Sequence, residues 1–285
     1  MTRLARLLGA LTGWRRWAAA AALGATAVLA LPPIYGLPAL FIAFTGLVWL
    51  IDGVKPVARA WCRVLALGWW FGFGFFVPGL YWITNALLVD AATHGWLAPF
   101  AVAGLSVYFA LYPALACLLA SWAPPGGWRI LALAAAWAAM EWARGTVLTG
   151  FPWNLVSTAL AFDPTAIQGA SVLGAYGLSL VVVVIAAAPA LLARNRHGHP
   201  ATVPFVAAMA VAVLLIGGGL ARVSQAPPPG THASDIHLRL VQGNIPQSIK
   251  WRQDLMRRHF QLYMDLSRGQ GGRPPDVVIW PETAI

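Results

Sequence analysis

Long apolar runs constrain this chain more than any motif in it. Stretches 17–34, 37–51, 63–83, 97–122, 129–147, 167–192 and 202–220 carry few charges. Each is close to the about 20 residues that take a helix across roughly 30 Å of hydrocarbon. Apolar residues make up 59% of the chain and charged ones 10%, against about 25% charged in a soluble domain, and mean hydropathy is +0.69. These runs predict a polytopic α-helical membrane protein with about seven transmembrane helices. Run 37–51 is short and run 129–147 ends in polar residues. Pro78, Pro113 and Pro189 lie inside runs, which helix bundles tolerate when neighbours satisfy the freed carbonyls.

The net charge of +10 suggests an anionic polymer until its distribution is read. Arg3, Arg6, Arg15 and Arg16 precede the first run, and Lys55, Arg59 and Arg63 separate the second from the third. Arg129 follows the fourth, and Arg194 and Arg196 follow the sixth. The opposite loops hold Arg144 alone. Basic residues on alternate loops mark the cytoplasmic side, so the N-terminus is expected in the cytoplasm and everything after residue 221 on the far side. Topology accounts for the charge better than nucleic-acid binding does. An Ala-rich stretch ending Ala27-Val28-Leu29-Ala30 also fits a signal peptide, but its removal would upset the alternation, so a retained first helix is expected.

Cys62 and Cys117 are placed by this topology at the cytoplasmic ends of their runs, and both read as packing residues. Among the histidines only His197 and His199 sit close together, in a short basic loop that reads as solvated. No metal site, phosphate loop or dinucleotide fingerprint is present, and no cofactor is expected.

After the last run the composition changes. Gly217-Gly218-Gly219 is expected to end the seventh helix, and Pro227-Pro228-Pro229-Gly230 forms a stiff linker in which a helix cannot persist. The expected division is a helical membrane domain over 1–221, a linker over 222–235 and an incomplete α/β domain over 236–285. Ile236, Leu238 and Leu240 alternate with His237 and Arg239, the period-two pattern of a strand with one covered face. From 248 to 267, Leu255, Met256, Phe260, Leu262, Tyr263 and Leu266 form a broad stripe at helical spacing. Val277-Val278-Ile279-Trp280 reads as a strand buried on both faces. Strand, helix, strand opens an α/β domain. Glu282, just after Pro281, emerges at the carboxyl end of the second strand, where open α/β sheets place their chemistry. It reads either as a surface acid or as a catalytic acid or base.

The stretch Gly243-Asn244-Ile245-Pro246-Gln247-Ser248-Ile249-Lys250-Trp251, followed by Trp280-Pro281-Glu282-Thr283-Ala284-Ile285, resembles the start of the nitrilase-type domain of bacterial apolipoprotein N-acyltransferases. Glu141-x-x-Arg144-Gly145 running into Thr149-Gly150-Phe151-Pro152-Trp153, and Gly72-Phe73-Gly74 leading to Tyr81-Trp82, are similar to segments of the same family. The resemblance covers nearly the whole chain. It implies an αββα nitrilase-like domain, here cut off early, in the periplasm of a multi-pass protein of the bacterial inner membrane. It also implies acyl transfer through a Glu-Lys-Cys triad, from a phospholipid donor to the α-amino group of a diacylglyceryl-cysteine at a lipoprotein N-terminus. Membrane lipid would be a further partner, and no nucleic acid is expected.

Within that resemblance Glu282 matches the glutamate, the general base. The lysine and the cysteine are expected beyond residue 285, since Lys250 belongs to the Ser-Ile-Lys-Trp element instead. Trp251 matches a functional tryptophan of the family, although it would also suit a cap on the amphipathic helix. Glu141 and Arg144, three apart on one helix face, either neutralise each other at the membrane boundary or contact a phospholipid head group. Phe151, Pro152 and Trp153 fit an interfacial anchor. A membrane-anchored amidase would share Glu282. A transporter would keep its ionisable groups within the spans near the midplane, and these spans hold few.

Overall fold

The computed structural model describes residues 1–55, 58–193, 201–226, 236–269 and 274–282. The Pro-rich segment 227–235, the pair His197 and His199, and Thr283 to Ile285 lie outside the described residues. The chain forms two compact units, one of residues 1–88 with 92–225, the other of 226–285 with 89–91.

The first unit is helical. Its elements are α1 (Thr2–Ala10), α2 (Gly13–Val28), α3 (Pro38–Asp52), α4 (Ala60–Gly79), α5 (Thr84–Leu88), α6 (Ala91–His94), α7 (Ala98–Phe109), α8 (Leu111–Ser121), α9 (Gly127–Thr146), α10 (Ala170–Ala187) and α11 (Thr202–Ser224). Helix stands at each of the seven expected places. Four segments are long and apolar enough to cross a membrane: Ala60–Gly79, Ala91–Ser121, Ala166–Leu192 and Thr202–Ser224. Helix α2 stops at Val28, short of Pro32 and Pro33, and α3 begins at Pro38, so these two have 16 and 15 residues. Run 97–122 is one span in sequence but two helices in the fold, parting at Ala110. Pro113 offers no N–H to the carbonyl of Phe109, the bond that would have carried one helix through.

Two expectations are corrected. Gly217 to Gly219 do not end the last helix, which runs on to Ser224. Gly219 serves packing, because a Cβ there would stand 2.1 Å from the carbonyl oxygen of Thr165. Of the two cysteines only Cys117 is buried; Cys62 is exposed near the start of α4.

Small residues allow the backbones to meet. A Cβ on Gly24 of α2 would come within 2.0 Å of the Phe71 carbonyl oxygen, and one on Gly74 of α4 within 2.0 Å of that of Ala21. This is how helices pack where lipid removes the hydrophobic drive between them. The centre of the unit is aromatic. Trp137 of α9 meets Phe44 of α3 edge-on at 5.0 Å, and Phe71 and Phe75 of α4 at 5.9 and 6.4 Å. All four rings are buried.

The second unit contains β1 (Leu238–Leu240), α12 (Gln247–Lys250), a 3₁₀ turn over Gln253–Leu255, α13 (Met256–Arg268) and β2 (Val277–Ile279). The strands pair in parallel, with Leu238 opposite Val277 and Leu240 opposite Ile279, so strand, helix, strand is as the periodicity implied. Helix α13 covers one face. Tyr263 and Val241 are buried there, with Ile245 and Trp280 packed against them. The Trp280 indole N–H donates to Ser267 Oγ at 2.7 Å, and Arg239 Nη1 donates to the Ser267 carbonyl at 2.7 Å.

The expected helix over 248–267 is broken at Trp251 and Arg252, where the Arg252 guanidinium turns back onto the Asp254 carboxylate. That pairing holds the fully exposed Asp254 carboxyl below its ordinary range. Burial is also less than expected. Leu238, Leu240 and all of β2 are exposed, as are Met256, Phe260, Leu262 and Leu266 of the stripe. Two strands and one helix cover a single face, and the stripe on α13 is wider than two strands can hide.

Candidate functional site

Two groups of sequence-marked residues take shape, one in each unit. In the second unit β2 delivers the chain to Trp280, which Pro281 keeps extended. Glu282 follows in a turn, exposed, at the carboxyl end of the strand. The parallel pairing brings the Gly243-to-Trp251 segment to the same corner. Lys250 closes α12 and donates from Nζ to the Glu282 carbonyl oxygen at 3.4 Å. The same ammonium lies 5.8 Å from the centre of the Trp251 ring. Trp251 is 58% exposed, so it does not cap α13 on the core. A carboxylate, an ammonium and an open indole face thus gather at one strand end. Lys250, which the resemblance assigns to the Ser-Ile-Lys-Trp element and not to the triad, is drawn to this corner by the crossover from β1 to β2, 39 residues away in register.

In the first unit Glu141 and Arg144 are buried, 5% and 2% exposed. Among the described residues no ion-pair contact joins them, although each group lies within the field of the other. Each instead holds the backbone of the segment that follows α9. Glu141 Oε1 accepts from the Trp137 indole N–H at 3.1 Å and from the Val156 backbone N–H at 2.9 Å. Arg144 Nη1 donates to the carbonyls of Phe151 at 2.7 Å and Trp153 at 2.6 Å, while its guanidinium lies 5.2 Å from the Phe76 ring. The guanidinium bonds of Arg144 are charge-assisted, about twice as strong as neutral ones, and a buried cation is tolerated only when so partnered.

Those bonds hold an elbow of unusual backbone. Leu148, Thr149, Gly150 and Asn154 all have positive φ, of 51°, 72°, 81° and 58°. Positive φ at a β-branched residue such as Thr149 is a genuine outlier. Only glycine serves at 150, because a Cβ would meet the Gly145 carbonyl oxygen at 2.2 Å. Asn154 Nδ2 ties the far end by donating to the Gly79 carbonyl at 2.9 Å. The elbow presents Leu148 and Trp153 outward, and Trp153 lies 6.3 Å from Trp82. Phe151 turns inward and stacks on Phe109 at 4.5 Å. The expected aromatic anchor is therefore divided, with Trp153 outside and Phe151 in the body. Backbone strain of this sort persists only where its surroundings over-determine it, and it gathers at functional segments.

Trp137 and Asn154 were not singled out from sequence. Trp137 stands four residues before Glu141, one helical turn away, a spacing that could have revealed it. Asn154 is among the few residue types that accept positive φ. Among the described residues no group of three or more His, Cys, Asp or Glu side chains could hold a metal ion.

Residues 23–188 match the family model described as the apolipoprotein N-acyltransferase N-terminal domain. The chain is 41% identical over 295 residues to a Brucella suis protein named apolipoprotein N-acyltransferase, covering 100% of the chain and 55% of that relative. Proteins of the same name from Rhodopseudomonas palustris and Caulobacter vibrioides are 41% and 40% identical, over 96% and 95% of the chain and 52% and 50% of their own lengths. The chain spans about half the length of the curated relatives it matches.

Proposed function

Because the chain belongs to the apolipoprotein N-acyltransferase family, we propose that it is the amino-terminal portion of an enzyme that N-acylates bacterial lipoproteins. Seven helices anchor it in the inner membrane with the N-terminus in the cytoplasm. The residues after 235 begin a nitrilase-like domain in the periplasm. The donor is a phospholipid and the acceptor the α-amino group of a diacylglyceryl-cysteine. One observation carries this reading: Glu282 stands at the carboxyl end of a parallel strand, at a corner shared with Lys250 and Trp251.

The chemistry runs in two steps. Glu282 takes the proton of a cysteine thiol, whose sulfur attacks the ester carbonyl of the phospholipid. A thioester forms, and the lysophospholipid leaves carrying a proton. Glu282 then takes a proton from the lipoprotein amine as it attacks the thioester, and the thiol is released. The cysteine and the lysine that stabilises the oxyanion are not in this chain, and a thioester divides one hard transfer into two easier ones. Trp251 offers its open face to substrate. Glu141 and Arg144 act on the phospholipid side through the elbow they hold.

In the complete gene product, Glu282→Gln keeps shape and removes the base. General-base help is worth about 10²–10⁴-fold, so hydroxylamine-labile acyl-enzyme should form slower by that order from labelled phospholipid. Acyl-enzyme forming at the parental rate would make Glu282 a structural acid and sink the mechanism.

A further inference from the structure

The first helix of the chain is too short to cross a membrane. Nine residues at 1.5 Å each extend about 14 Å, and α1 carries Arg3 and Arg6, both exposed. It is nonetheless fixed in place. Gly9 crosses Gly53 so closely that a Cβ on Gly53 would stand 2.3 Å from the Gly9 carbonyl oxygen. Arg16 of α2 is buried and donates from Nη2 to the Gly53 carbonyl at 3.0 Å. Helix α1 is thus pinned where α2 begins and α3 ends, at the mouth of the helical body.

With about 100° between successive residues, α1 has three sides. Thr2, Ala5, Leu8 and Gly9 form one side, half-buried, and Ala5 and Leu8 pack on the core. Leu4 and Leu7, 56% and 57% exposed, form a second, apolar side. Arg3, Arg6 and Ala10 form the third, all exposed. The same mouth carries exposed Arg15, Lys55, Arg59 and Arg63, with exposed Trp14 and Trp61 among them. The Arg15 guanidinium lies 5.9 Å from the Trp14 ring. The one acid here, Asp52, is joined to Arg129.

A cationic helix with an unpartnered apolar side, flanked by tryptophans, suits the boundary between head groups and acyl chains. We propose that α1 lies flat in the membrane interface, with Leu4 and Leu7 among the acyl chains and Arg3 and Arg6 holding the phosphates of anionic phospholipids. The charge complement selects the partner. Six exposed cations, Arg3, Arg6, Arg15, Lys55, Arg59 and Arg63, surround one paired carboxylate. Zwitterionic head groups would leave them uncompensated.

The test uses the full chain with Cys62→Ser and Cys117→Ala, in bilayers of phosphatidylcholine with and without phosphatidylglycerol. A nitroxide at Leu7→Cys is expected to meet oxygen and be shielded from an aqueous nickel chelate. A nitroxide at Ala10→Cys is expected to meet the chelate. Phosphatidylglycerol kept by the purified chain should fall about fivefold for each of Arg3→Gln and Arg6→Gln, and free inorganic phosphate should not displace it. Equal nickel access at the two positions would overturn the flat placement. Undiminished phosphatidylglycerol on the double variant, or its displacement by inorganic phosphate, would overturn the lipid assignment.

Discussion

Replacing Arg144 by methionine keeps most of the side-chain length and removes the guanidinium that holds the elbow. Two carbonyls, of Phe151 and Trp153, lose a shared donor at 2.7 and 2.6 Å. Hydrogen bonds to a charged group contribute about 1.5–3 kcal/mol each, so the loss is about 3–6 kcal/mol. Arg144 is 2% exposed, but Trp153 is 53% exposed, so water can reach the Trp153 carbonyl and the loss falls toward the lower end of that range. Arg144→Lys should fall between the two, because an ammonium keeps the charge without the planar fork that reaches two carbonyls at once. Cys117 supplies the assay. It is fully buried in α8, so in a Cys62→Ser background a thiol-reactive dye reports the opening of the helical body on heating in detergent. The expected order of unmasking temperature is parent, then Arg144→Lys, then Arg144→Met. If Arg144→Met unmasks Cys117 at the parental temperature, the two bonds do not hold the elbow and the reasoning about its strain is wrong.

Gly150→Ala places a Cβ against the Gly145 carbonyl at a φ of 81°. By the same assay it should lower stability by about 1–3 kcal/mol; an unchanged melt would mean the elbow relaxes freely. Asp163 is half-buried, and its Oδ1 accepts from the backbone N–H groups of Ala166 and Thr165, which hold its carboxyl below the ordinary range. A depressed folded value contributes stability above the unfolded value of about 3.9 that is lost as pH falls through the folded one. The parent should therefore exceed Asp163→Asn in stability at neutral pH and converge with it on acidification. A gap independent of pH would show that the charge plays no part.

Helix position was legible because apolar run length is a direct physical requirement of a bilayer. Helix ends were not. Pro32, Pro33 and Pro38 shorten two helices, and the missing amide at Pro113 divides a third, effects that depend on which neighbours remain to satisfy the carbonyls. The strand–helix–strand order was legible from periodicity alone. Burial was misjudged for Leu238, Leu240 and Val277 to Ile279, because apolarity states what a residue would bury and not what is there to cover it. Glu282 could be found from its place after a strand and a proline. Lys250 could not, since only the parallel register brings it to the same corner. Glu141 and Arg144 were visible from their spacing on one helix face. Their attachment to residues 151–156 depends on an elbow with four positive φ angles, three of them at residues other than glycine, which no local pattern announces.

The elbow's anchors grip carbonyl and amide groups rather than side chains, and this sets which positions are free to drift. Any residue at 151, 153 or 156 offers the same backbone atoms to Arg144 and Glu141, proline at 156 excepted because it has no N–H. Side chains along the elbow can then change with the surface they meet while the path of the chain stays fixed. The two anchors have no such latitude. Loss of Glu141 leaves the buried Val156 N–H without its acceptor, and loss of Arg144 leaves two carbonyls without their shared donor, so across divergent descendants the grip should outlast what it holds.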